Sequence, residues 1–106
     1  MPMSYQIIFW RDIPMQVKLR GAGRGERMSR MLSDRFQQAI DEAAMQAGKS
    51  GSDEYLAEWV TGDWQERQGT LESVAEAVLQ ELEQAYPAER LQSLARHGGR
   101  LSEAES

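Results

Sequence analysis

Lys18 and Arg20 alternate with apolar neighbours, and Arg24, Arg27 and Arg30 follow them around the loop Gly21-Ala22-Gly23-Arg24-Gly25. Cations spaced this way beside a glycine-rich segment can hold a phosphate or track a nucleic-acid backbone, with Lys18, Arg20, Arg24 and Arg27 as ligands. The loop reads G-x-G-x-G, which is neither the dinucleotide spacing nor a phosphate loop ending in Lys-Ser/Thr. A dinucleotide site also needs a βαβ unit, and here a β-hairpin comes first. Its plainer role is a mobile hairpin-to-helix connector. The cations likewise have a plain reading as a solvated strand face, and a third as a dock for an acidic protein surface.

The aromatic residues are the second resource. Trp10, Trp59 and Trp64 are three tryptophans in 106 residues. Trp64 sits among Asp63, Gln65, Glu66 and Arg67, a polar setting for a buried ring. Exposed together, Trp10 and Trp64 would join Arg11, Lys18 and Arg20 in a recognition patch. Buried, they cap the edge of a sheet.

Catalytic equipment is sparse. Asp63 with Glu66, or Glu54 with Glu58, would supply an acid/base pair, but nothing beside them signals a raised pKa. The single His97 precedes Gly98-Gly99 at a helix end, where a cation suits the dipole. There is no cysteine, so disulfides, thiolate chemistry and Cys-based metal sites are excluded. No serine elbow is present. The expectation is a non-enzymatic domain with no catalytic residues, no metal and no cofactor.

These side chains need elements to position them. Ser4–Asp12 has β-branched and aromatic residues on both faces, with Tyr5, Ile7 and Phe9 on one and Ile8 and Trp10 on the other, as for a covered strand. Met15–Arg20 alternates strictly, so a hairpin turning around Arg11–Pro14 is predicted. Phe36, Ala39, Ile40, Ala43, Ala44 and Ala47 form one helical stripe between an N-cap at Ser33 and a C′ glycine at Gly48. Residues 49–52 form a second loop, and one helical turn through Glu54–Leu56 follows. Glu58–Arg67 reads as a third strand with a bulge or turn at Gly62. Thr70 caps the longest apolar period, Leu71 to Tyr86, and Pro87 ends it or starts a short helix through Leu91, Leu94 and Ala95.

The expected fold is a two-layer α+β domain of order β-β-α-β-α with a short C-terminal helix. It has a three-stranded, mainly antiparallel sheet with both main helices on one face. Residues 1–97 form the single domain and 98–106 a flexible polar tail. No segment approaches the ~20 apolar residues of a membrane span, and no signal peptide is visible, so a cytoplasmic protein is expected. A bare second sheet face with Ile8 and Trp10 would invite a homodimer.

The net charge of −5 is unevenly distributed. Residues 1–40 carry seven basic side chains and three acids, net +4, whereas 41–106 carry five and fourteen, net −9. That division weakens the argument from overall acidity against a polyanion ligand.

Three segments resemble a small bacterial "virulence factor" domain family: Tyr5–Pro14 (YQIIFWRDIP), Leu32–Met45 (LSDRFQQAIDEAAM) and Asp53–Trp59 (DEYLAEW). The resemblance runs from about Ser4 to Tyr86. It implies a stand-alone or fused module of about a hundred residues and brings no catalytic residues. Its most signature-like stretch is Trp10-Arg11-Asp12-Ile13-Pro14, which suits recognition and a structural lock equally. The functional expectation is an accessory domain that binds a protein partner through hairpin and sheet face. A subunit or regulator of a metabolic enzyme differs from this only in the partner. The alternative is nucleic-acid or phosphate-ligand binding through the basic strand and glycine loop.

Overall fold

The computed structural model describes residues 2–23, 25–49 and 51–100. In chain order its elements are β1 (Pro2–Trp10), β2 (Ile13–Arg20), β3 (Arg27–Met31), α1 (Asp34–Gln46), α2 (Ser52–Ala57), β4 (Trp59–Thr61), β5 (Gln65–Gln68), α3 (Leu71–Ala85) and α4 (Ala88–Arg96). All strand pairs are antiparallel, in the order β3-β2-β1-β4, and β5 also pairs β1.

The α+β class and antiparallel sheet match expectation, but the sheet has five strands rather than three. Two sequence features account for the difference. The expected strand over 58–67 is broken where the Gly62 N–H donates to the Ile7 carbonyl at 2.9 Å. A Cβ on Gly62 would lie 3.2 Å from that carbonyl, a tight contact that glycine avoids. β4 and β5 thus form two short pieces along one edge of β1. The other addition, β3, is Arg-Met-Ser-Arg-Met, a run without strand propensity that owes its form to pairing with β2.

One bulge decides which way the first strand faces. Ile8 pairs Gln16 and Phe9 pairs Pro14, which leaves Met15 over and shifts the register. Opposed residues share a face, so Tyr5 and Ile7 lie with Leu19 and Val17. Past the bulge, Trp10 pairs Ile13, and both rejoin the helical core. The expectation that Trp10 lies with Ile8 on the second face is therefore corrected.

The helices close one side of the sheet. Met3, Val17 and Leu19 pack against Val74, Ala75 and Val78 of α3. Trp10, Ile13 and Met15 pack with Phe36, Ile40 and Ala43 of α1 and Leu91 and Leu94 of α4. The small side chains of Ala39, Ala43 and Ala44 are buried where α1 packs with the sheet residues and α4. Glycine caps α1 as expected: Gly48 has φ 69° and donates to Met45 O, while Lys49 donates to Ala44 O. Thr70 and Ser73 form a reciprocal capping box on α3.

Ser33 stands at the N-cap position of α1, but its hydroxyl caps nothing there. Glu83 of α3 takes both the Ser33 N–H and its Oγ at 2.9 Å. Arg35 returns the favour by donating to the Glu83 and Tyr86 carbonyls at the end of α3. The start of one helix and the end of the other thus satisfy each other's free backbone groups.

Among the described residues no helix is long and apolar enough to cross a membrane.

Candidate functional site

The hairpin turn and the opposite end of the same two strands use their polar groups in different ways. At the turn, Arg11 takes φ 54°, an unusual conformation for a residue with a side chain. Trp10 is 0% exposed; its indole N–H donates to Tyr55 O at 2.8 Å and its ring stacks on Tyr55 at 5.7 Å. Arg11 donates to Gly98 O at 3.0 Å and pairs with Glu58 at 3.2 Å. The Arg11 N–H donates to Glu58 O and the Asp12 N–H to Gly99 O. Three segments distant in sequence meet here.

Glu58 is held below the ordinary carboxylate range, chiefly by the hydrogen bond from Arg11 and despite some desolvation. Gly98 (φ 68°) and Gly99 end α4 by donating to Ala95 O and Leu94 O. A side chain on Gly99 would press on the Trp10 ring. Chain beyond residue 97 therefore takes part in the turn, while the remaining tail residues, 101–106, lie outside the described residues. With its ring enclosed, Trp10 has no surface to offer a partner. Arg11, with only 13% of its side chain exposed, is spent on internal bonds. Of the two readings open for Trp10–Pro14, the geometry fits the structural lock.

The other end is open. Lys18, Arg20, Arg27 and Ser29 are exposed on the face away from the helices. With Gln6 and Trp64 they line a depression of about 430 Å³. The Arg20 guanidinium lies 4.0 Å from the centre of the Trp64 ring, which is 39% exposed. No ion pair among the described residues involves Lys18, Arg20 or Arg27. By contrast, Arg67 is held by Glu81 through two hydrogen bonds of 2.9 and 2.6 Å, which lower the Glu81 pKa and raise that of Arg67.

Three of the five residues assigned to partner binding, Lys18, Arg20 and Trp64, thus share one depression. Arg27, assigned to phosphate binding, completes the same set, and Arg24 lies outside the described residues. Sequence reasoning missed Gln6 and Ser29. Ser29 became visible only once β3 was placed opposite Lys18. The carboxylate of Glu26 folds back against Gly21 and Gly23, so that a side chain at either would collide with it. A carboxylate standing there repels a phosphate.

The described residues hold no group of three or more His, Asp or Glu side chains arranged for a metal ion. The whole defines a class: a small α+β domain with helices on one side of an antiparallel sheet and a basic depression on the other. The family model described as "Virulence factor" matches residues 8–95, and the chain belongs to that family. Comparison with curated proteins and with solved structures found no match.

Proposed function

We propose that this domain is a non-enzymatic binding module whose basic sheet face docks an acidic segment of a protein partner. One observation carries the reading. Lys18, Arg20 and Arg27 converge around a half-exposed tryptophan without a carboxylate partner among the described residues, in a fold that pairs Arg11, Arg35 and Arg67 internally. Unpaired cations beside an aromatic ring suit carboxylates on an incoming chain.

Nucleic acid is the less favoured ligand of this face. Arg20 already lies over the Trp64 ring, where a base would stack. The Glu26 carboxylate lies against Gly21 and Gly23, and the domain carries excess acid outside its first forty residues.

Capture from native extract, with and without nuclease treatment and with wild type and the Lys18→Glu/Arg20→Glu variant side by side, tests the proposal. The expected result is a protein retained by wild type, released by added salt and absent from the variant. Equal capture by both overturns the assignment of this face. Retention that disappears on nuclease treatment favours the nucleic-acid alternative.

A further inference from the structure

Strand β3 is the outermost strand of the sheet, and its backbone can be read bond by bond. The Leu32 N–H donates to Met15 O at 2.9 Å and the Gly21 N–H to Glu26 O at 2.8 Å. In an antiparallel ladder, mutually bonded pairs recur every second residue. These two bonds bracket the ladder, so the bonded pairs between them are Val17 with Arg30 and Leu19 with Met28. The backbone groups of Arg27, Ser29 and Met31 consequently point away from β2, to the free edge. Arg27 uses its N–H locally, on Gly25 O at 2.9 Å. The N–H groups of Ser29 and Met31 and the carbonyls of Arg27 and Ser29 have no partner among the described residues.

The side chains of the same three residues lie on the sheet face that holds the basic depression, because they oppose Arg20, Lys18 and Gln16, and those of Arg27 and Ser29 line it. Free backbone groups and unpaired cations are therefore in register along one edge. We propose that the acidic segment binds by strand addition: it lies antiparallel against β3 as a further strand, its alternate carboxylates turned toward Lys18, Arg20 and Arg27. This rests on the proposed function and specifies its mode. Backbone hydrogen bonds supply the docking, and alternating side chains supply the selection.

Charge chooses the occupant. An open edge invites a second copy of its own strand, and charged side chains are the usual guard against that. Here Arg27 and Arg30 stand on the edge strand itself, with Lys18 and Arg20 beside them and no acid on β3. Two copies joined edge to edge would crowd both sets of cations together. An acidic strand meets the same charges with attraction. Met31, 57% exposed, leaves an apolar contact at the end of the row.

The test uses an acetylated ten-residue peptide of alternating Glu and Thr, titrated against the full chain with amide resonances followed. A residue opposite Ser29 shares its face and bonds to it, so the groove-facing Glu residues are those whose N–H groups join β3. Two further peptides carry the same charge, one N-methylated at every Glu and the other at every Thr. Methylation at Glu should weaken binding by about tenfold or more, and methylation at Thr should leave it nearly unchanged. The Ser29 and Met31 amides should gain exchange protection only in the complex.

Equal binding of both methylated peptides would overturn strand addition while leaving charge-driven docking intact. The reverse pattern would overturn the antiparallel register. No binding of the unmodified peptide at millimolar concentration would overturn the acidic-segment reading itself. A dimer of the free chain, with Ser29 and Met31 already protected, would assign the edge to a second copy.

Discussion

The two ends of the β1–β2 hairpin carry similar side chains to opposite ends. Each presents a tryptophan and an arginine in cation–π contact: Arg11 over Trp10 at 5.4 Å, Arg20 over Trp64 at 4.0 Å. At the turn both side chains also bond to other segments of the chain, to Tyr55, Glu58 and Gly98. At the open end they leave charge and ring surface to solvent. Residue type alone therefore does not mark a binding site. What separates the two is whether the fold has already satisfied the groups, and that depends on packing around them.

The contrast can be broken most sharply through the tryptophans. Trp10→Ala should lower unfolding free energy by about 3–5 kcal/mol, the usual cost of truncating an enclosed aromatic. Trp64→Ala should cost about 1 kcal/mol or less, since it removes a half-exposed ring and one cation–π contact. Denaturant unfolding of both variants measures the difference, and equal losses would erase the distinction. Arg11→Ala should come next, at about 1–3 kcal/mol, because it leaves the Gly98 carbonyl without its side-chain donor and Glu58 with only the longer, more exposed pair to Arg100.

Acid should also act through the turn. Glu58 and Glu81 both titrate below their ordinary range, held there first by hydrogen bonds from Arg11 and Arg67. Their contribution to stability is complete above the unfolded-state carboxylate pKa and is lost as pH falls through the lowered folded values. Thermal melts between neutral pH and about pH 3 should therefore show wild type losing its advantage over Glu58→Gln as pH falls. A constant gap would contradict the role given to that pair. The smallest effect belongs to Lys18→Glu/Arg20→Glu, whose unfolding free energy should lie within about 0.5–1 kcal/mol of wild type because neither cation has an ion-pair partner among the described residues to lose. A larger loss would mean that these cations hold the fold together rather than wait for a ligand.

How much of this was readable from the chain differs element by element. The α1 stripe, Gly48 and Thr70 were legible because each depends on local period, on a backbone conformation that few residues tolerate, or on a local side-chain cap. Gly62 was legible as a bulge or turn but not as the point that divides the segment into two strands. β3 was not: Arg27–Met31 is a strand only because β2 offers it a ladder. The place of Trp10 was lost for a similar reason, since the extra residue at Met15 reverses a face that strict alternation assigns the other way. Lys18 and Arg20 were singled out correctly as neighbours on one strand face, but their meeting with Trp64 and Ser29 needed the neighbouring strands. The virulence-factor resemblance rested on segments that lie largely within the matched residues 8–95. Gly98 and Gly99, which complete the turn, fall beyond that match.

Amide and indole resonances followed during titration with the Glu-Thr peptide test the central claim most directly. Shifts should concentrate at Lys18, Arg20, Arg27, Ser29 and the Trp64 indole, with the Trp10 indole and Arg11 unmoved. Shifts centred on Trp10–Pro14, with the basic face silent, would contradict it.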